Sequence, residues 1–166
     1  MSIQGTAIVI AQDNVDTDVL YPGRFLSILD PAEMPQYLFE GLDPSLRDQL
    51  VGDTILVACE NFGTGSSREN VPTAMKAAGI RCVLAKSFAR IFHRNCINLG
   101  LPAIVCPAAV AAVQPGASVR IEPETGSVGV DGRVFQAQPL PQFMLELLAA
   151  GGLVPWIRQR LPELTG

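Results

Sequence analysis

Histidine is almost missing from this chain: His93 is the only one in 166 residues. A Ser-His-Asp triad would have to be built around that single imidazole, and a histidine-rich metal centre has no ligands to draw on. The four cysteines, Cys59, Cys82, Cys96 and Cys106, form no CxxC pair, and His93 stands three residues before Cys96, a spacing that suits neither zinc nor an iron–sulfur cluster. Each lies in an apolar stretch and is expected as a buried, reduced thiol, so no metal site is expected in this chain. Cations are sparse too. Twelve Lys and Arg are scattered along a chain of net charge -4 and pI near 4.9, which argues against a nucleic-acid or anionic-membrane surface. The expected partner is a small molecule or another protein. No apolar run approaches the roughly 18 residues of a membrane span, and residues 1–6 are too polar for a signal peptide; a cytoplasmic location is the expectation.

What is present is a generous apolar content, 48% of residues, enough for one well-filled core and a single domain over residues 1–166. A β-branched opening strand over 6–10 leads into the turn-forming run Asp13-Asn14-Val15-Asp16-Thr17-Asp18. An apolar stretch, 25–30, is followed by a short helix over 32–39 with Pro31 near its first turn, then a polar connector, 41–52. Strand 54–59 runs straight into a glycine loop and a helix that starts near Asn70 and stops at Gly79; a start at Ser66 would leave Pro72 in the interior. Strand 81–85, helix 87–99 and strand 101–106 continue the alternation. Strands alternating with helices predict parallel pairing with right-handed crossovers. Beyond Pro115 the pattern turns antiparallel, over 118–122 and 127–137 with tight turns at Thr125-Gly126 and Asp131-Gly132, before helices over 141–150 and 155–164. The fold class is α/β with a parallel or mixed sheet core and an antiparallel C-terminal β section.

Chemistry concentrates in Gly63-Thr64-Gly65-Ser66-Ser67-Arg68-Glu69. Glycines let the backbone turn sharply and present successive N–H groups to an anion, while a guanidinium matches a carboxylate or phosphate with two parallel hydrogen bonds. A serine in such a nest can act as a base if its alkoxide is stabilised by amides and a nearby cation. Two familiar motifs fail on residue type: a P-loop needs Lys before its Ser or Thr, where Gly65 stands, and an esterase elbow needs Gly where Arg68 stands. The plain alternative is that residues 63–67 form only a tight turn capping a helix.

The blocks Glu60-Asn61-Phe62-Gly63-Thr64-Gly65-Ser66-Ser67-Arg68-Glu69, Ala85-Lys86-Ser87-Phe88-Ala89-Arg90-Ile91-Phe92 and Arg94-Asn95-Cys96-Ile97-Asn98-Leu99-Gly100-Leu101-Pro102, with the upstream 13–18 element in the same order, closely resemble the small subunits of 3-isopropylmalate dehydratase and homoaconitase and the mobile C-terminal domain of aconitase. The resemblance covers roughly residues 8–106 and leaves the antiparallel tail unaccounted for. It implies a swivelling β/β/α three-layer domain that closes over a large subunit, with no cofactor in this chain and a [4Fe–4S] cluster on that partner. The implied reaction moves a hydroxyl between adjacent carbons of a hydroxy acid by dehydration and rehydration. By position, Ser66 matches the family's catalytic base and Arg68 its carboxylate clamp. Thr64, Gly65 and Ser67 are implied in substrate binding, with Asp16, Asp18 and Asn61 in support. Asn70 stands where many relatives carry His, and Asn cannot shuttle a proton near neutral pH.

The family's substrate-recognition loop falls on Leu26, Ser27, Ile28 and Leu29, just after Arg24. Relatives that handle tricarboxylates carry an arginine there. A carboxylate left without its cation in a closed site costs several kcal/mol, whereas a branched alkyl group gains roughly 1–3 kcal/mol from apolar contact. The expected substrate is thus a hydroxy-dicarboxylic acid with an apolar substituent, of the isopropylmalate type. Citramalate or dimethylmalate types are close neighbours, followed by homoaconitase; a non-catalytic anion-binding module is the alternative of another class.

Overall fold

The computed structural model describes residues 1–66 and 68–164. In chain order the elements are β1 (Ile3–Val9), α1 (Thr17–Leu20), β2 (Thr54–Ala58), α2 (Asn70–Ala77), β3 (Ile80–Ala85), α3 (Arg90–Asn98), β4 (Ala103–Val105), α4 (Pro107–Ala112), β5 (Ser118–Glu122), β6 (Ser127–Val130), β7 (Arg133–Gln136), α5 (Gln142–Ala150) and α6 (Leu153–Leu164). Three 3-10 segments, Gly23–Phe25, Pro31–Tyr37 and Pro44–Gln49, fill the long connection between α1 and β2. No helix among the described residues is long and apolar enough to cross a membrane.

One seven-stranded sheet carries the fold, in the order β4-β3-β2-β1-β5-β6-β7. Its β1 to β4 half is parallel, with Ile8 opposite Leu56 and Leu56 opposite Val83; β1, β5, β6 and β7 are antiparallel neighbours. β2 is buried at every position, the mark of a strand covered on both faces. Successive residues of β3 serve two cores. Val83 and Ala85 join Ile8 and Leu56 under α2, α3 and α5, while Cys82 and Leu84 join Ile55 and Val57 on the opposite face. On that second face they meet Ala109 of α4 and Val119, Val128 and Val130 of the antiparallel strands. The sheet therefore curls until its antiparallel half and α4 roof its own parallel half, giving helix, sheet and sheet layers from one sheet.

Most expected elements are present, with informative departures. The 32–39 segment is a 3-10 helix, since Pro35 inside it has no N–H for an α-helical bond. Helix α3 begins at Arg90 rather than 87 because Ser87 and Phe88 are held by the glycine loop: Ser87 O accepts from Phe62 N at 3.1 Å, and Phe62 forms a bridge with Phe88. Strand 127–137 is two strands split at the Asp131-Gly132 turn. Helices α1 and α4 were not anticipated; each has six residues or fewer. Cys82, Cys96 and Cys106 are buried, and burial pushes the Cys82 and Cys96 thiols up. Cys59 departs from expectation and is half-buried, because it follows the last residue of β2 where the sheet gives way to the loop.

Candidate functional site

The glycine loop, residues 59–69, leaves the C-terminal end of β2 and is clamped from two sides. On one side, the 13–18 segment pairs with it. Val15 O accepts from Gly63 N (2.9 Å) and Thr64 N (3.1 Å), Thr17 N donates to Thr64 O (2.8 Å), and Thr17 Oγ1 donates to Ser66 O (3.1 Å). On the other side, Asn61 N donates to Ser87 Oγ at 2.7 Å, Ser87 Oγ donates to Glu60 Oε2, and Ala89 N donates to Phe62 O. Asn61 sits at φ 52° with its side-chain amide on Asn14 Oδ1 at 3.0 Å.

Two glycines are required by space as well as by backbone angle. At Gly63 (φ 89°) a Cβ would lie 2.2 Å from Cγ of Phe92, and at Gly65 (φ 90°) it would lie 2.5 Å from Oδ2 of Asp16. Both residues thus let the loop press flat against neighbours a side chain would push away. Asp16 also caps α1, its Oδ1 accepting from Asp18 N at 2.7 Å. The acidic run is thereby part of the loop's scaffold.

Ser66 is exposed at the loop's apex. It lines a cleft of about 510 Å³ together with Gly63, Gly65, Ala89, Arg90, Ile91, Phe92 and Arg94. Arg68, expected to face the same cavity, is not among the residues lining it. Its Nη1 donates to Asp18 Oδ1 at 3.1 Å, and that same oxygen accepts from Gly23 N at 3.1 Å. The guanidinium consequently lies against the start of the Gly23–Phe25 segment, where a Cβ on Gly23 would be 3.1 Å from Nη1. The pair is solvent-accessible, with side chains 31% and 61% exposed, so water screens it and another carboxylate can exchange for Asp18. Ser67 lies outside the described residues.

The segment 26–29, expected to recognise substrate, follows an aromatic stack of Phe25 on Tyr37 at 4.2 Å and 18°. Arg24 covers the outer face of Phe25 (4.6 Å) with Nη2 4.0 Å from Glu40, which is held more closely by Arg47 at 2.6 Å. Leu26 is half-buried, Ile28 packs against the helix-side core, Ser27 is exposed, and Leu29 is 82% exposed. Of the four, Ile28 is thus committed to packing while Ser27 and Leu29 are presented outward.

His93 does not line the Ser66 cleft. Its Nε2 lies 3.0 Å from Ala103 O, and burial lowers its pKa against the raising effect of that hydrogen bond. Among the described residues no three His, Cys, Asp or Glu side chains are grouped to hold a metal ion. The cysteines do not fit an iron–sulfur cluster: Cys96 is buried in one core, Cys82 and Cys106 in the other, and the Cys59 thiol donates to Ile10 O. Two side chains that sequence reasoning quoted without giving a role, Arg90 and Arg94, prove to be the cations of the Ser66 cleft. Their spacing of four within a helix was the available signal.

Residues 1–109 match the family model described as the aconitase C-terminal domain. The chain is 46% identical over 163 residues to the 3-isopropylmalate dehydratase small subunit 1 of Methanopyrus kandleri, covering 97% of this chain and 95% of that protein. It is 48% identical over 147 residues to the 2,3-dimethylmalate dehydratase small subunit of Eubacterium barkeri, covering 87% and 90% respectively. Its structure superposes on the crystal structure of a 3-isopropylmalate dehydratase from Methanocaldococcus jannaschii with a TM-score of 0.91 at 36% identity, covering both chains fully.

Proposed function

The chain belongs to the aconitase C-terminal domain family, among the small subunits of 3-isopropylmalate dehydratase, and on that premise we propose that Ser66 is its base and Arg68 its carboxylate clamp in the dehydration and rehydration of an isopropylmalate-type acid. The observation that carries the reading is the position of Ser66: exposed on a doubly clamped glycine loop, beside a cleft of about 510 Å³. A serine hydroxyl is far too weak an acid to be a base at neutral pH unless its alkoxide is stabilised where it forms. The Gly63 and Thr64 amides are spent on Val15 O, which leaves that task to the Gly65 and Ser66 amides and to Arg68, two residues on in the same loop.

In this reading Ser66 Oγ takes the proton from the carbon being deprotonated and returns it to the adjacent carbon, while Arg68 exchanges Asp18 for a substrate carboxylate. Thr64, Gly65 and Ser67 shape the binding surface, and Asp16, Asp18 and Asn61 hold the loop. The reading puts a [4Fe–4S] cluster on a large subunit, where it would assist hydroxyl departure; the dispersed cysteines of this chain support that division. The whole chain, residues 1–166, acts as one swivelling domain of a cytoplasmic heteromer. Residues 26–29 supply no cation for a third carboxylate, and Leu29 offers an alkyl contact instead. The similarity to a dimethylmalate dehydratase small subunit favours a methyl-substituted malate as the second reading.

Reconstitution with the cognate cluster-bearing large subunit tests the assignment. Ser66→Ala should lower kcat on the order of 10²–10⁴-fold, the usual contribution of a positioned base, with the heteromer still forming. Full activity in Ser66→Ala would remove the base from this chain. Inactivity of the wild-type heteromer towards isopropylmalate and methyl-substituted malates alike would favour an anion-binding module.

A further inference from the structure

Arg90 and Arg94 lie one helical turn apart on α3, so they share a face and repel one another slightly. Neither makes an ion pair or hydrogen bond with any described residue; Arg24, Arg47, Arg68, Arg81, Arg120 and Arg160 have carboxylate partners within 4.0 Å, and Arg133 and Arg158, like this pair, have none among the described residues. Two unpaired cations side by side are conspicuous in a chain of net charge -4. They stand on the ridge between two concavities. One is the 510 Å³ Ser66 cleft, and the other is a groove of about 360 Å³ between α3 and α5, floored by Ile97, Met144 and Leu147. Exposed apolar side chains flank the ridge, Ile91 at 50% and Phe143 at 53%.

We propose that this α3–α5 face is the docking surface for the large subunit, which presents a carboxylate-bearing segment to Arg90 and Arg94 and apolar side chains to Ile91, Phe143 and the groove. The inference rests on the proposed function in one respect only, that a second polypeptide completes the site at Ser66. Such a partner must reach the Ser66 cleft, and the groove continues from it through the same two arginines. Charge complementarity selects an acidic contact, and the groove floor selects an apolar one beside it. Arginine flanked by an aromatic anchor is the usual composition of an interface hot spot.

The test measures assembly by titrating the full-length chain with the cognate large subunit, in the absence of substrate, by calorimetry at two salt concentrations. The doubly reversed variant Arg90→Glu/Arg94→Glu should raise Kd on the order of 10–100-fold and flatten the salt dependence, and Phe143→Ser should raise Kd on its own. Ser66→Ala should assemble like the wild type, so a failure of the catalytic assignment leaves this measurement intact. Because both arginines are exposed and unpaired, the far-ultraviolet spectrum and melting temperature should hold; Arg90→Gln/Arg94→Gln serves as the milder variant if they do not. Unchanged affinity in both double variants would overturn the proposal. A raised KM for the hydroxy acid at unchanged affinity would also overturn it, by giving the pair to the substrate.

Discussion

A methyl group on Gly65 would meet the Asp16 carboxylate at 2.5 Å in a backbone held at φ 90°, so two penalties fall on one position. The left-handed angle alone costs an L-residue roughly 1–2 kcal/mol, and the crowding adds the displacement of a side chain that caps α1. Gly132 provides the control, since it has a similar φ of 87° with nothing near its absent Cβ. Gly65→Ala should destabilise the chain by about 2 kcal/mol or more, and Gly132→Ala by about half that. Urea unfolding of the two variants compares them directly. Equal losses would mean that Asp16 yields freely and does not brace the loop. The same reasoning explains why the acidic run matters although half of it is exposed: Asp16 acts through Gly65, and Asp18 acts through Arg68 and Gly23 together.

Among the elements, α3 joins the most parts of the site. Its N-terminal turn carries Arg90, Phe92 fills the space beneath Gly63 and meets Phe62 edge-on at 5.4 Å, and His93 ties the helix to β4 through Ala103 O at 3.0 Å. That tie carries a pH dependence whose sign follows from burial. The folded-state pKa of His93 lies below its ordinary value of 6.5, so below that value the unfolded chain binds a proton that the folded chain resists. Stability is fully present above the unfolded pKa and is lost as pH falls through 6.5 towards the folded value. The urea midpoint should therefore fall between pH 7.5 and pH 5.5, and fall less in His93→Gln; parallel curves for the two proteins would show that other groups govern the acid limb.

The strand, loop and helix around Ser66 were legible because an uninterrupted apolar run, a glycine pair and Pro72 constrain that stretch locally. Pro72, third residue of α2, fixed the helix start at Asn70 by excluding an earlier one. What was not legible depends on packing between distant segments. The attachment of Arg68 to Asp18, 50 residues away, is one example, and the meeting of Arg90 and Arg94 with Ser66 across a cleft is another. The curl of the sheet is a third, since alternation along β5 and β6 predicts antiparallel pairing but not that α4 and those strands return over β3. Residue Cys59 was misjudged because apolar neighbours say nothing of where a strand ends.

At the scale of the whole molecule, the proposed function puts selectivity where three parts converge. The curled sheet fixes the glycine loop, Arg68 bridges that loop to the Gly23–Phe25 segment through Asp18, and the segment that follows presents Leu29 outward with 82% of its surface exposed. An isolated chain gains nothing from so exposed a leucine; under the proposed function a substrate alkyl group and the closing partner would cover it. Leu29→Arg exchanges that apolar contact for a cation. In the reconstituted heteromer it should lower kcat/KM for isopropylmalate by about 10–200-fold, the range associated with losing one small apolar contact, and should raise relative activity towards a tricarboxylate such as homocitrate. Its stability should stay within about 0.5 kcal/mol of wild type, as for other surface substitutions. Measured as a ratio of kcat/KM values in one mixed-substrate assay, the shift is insensitive to how much active heteromer is present. An unchanged ratio would place Leu29 outside the substrate's reach and return the choice of acid to the large subunit.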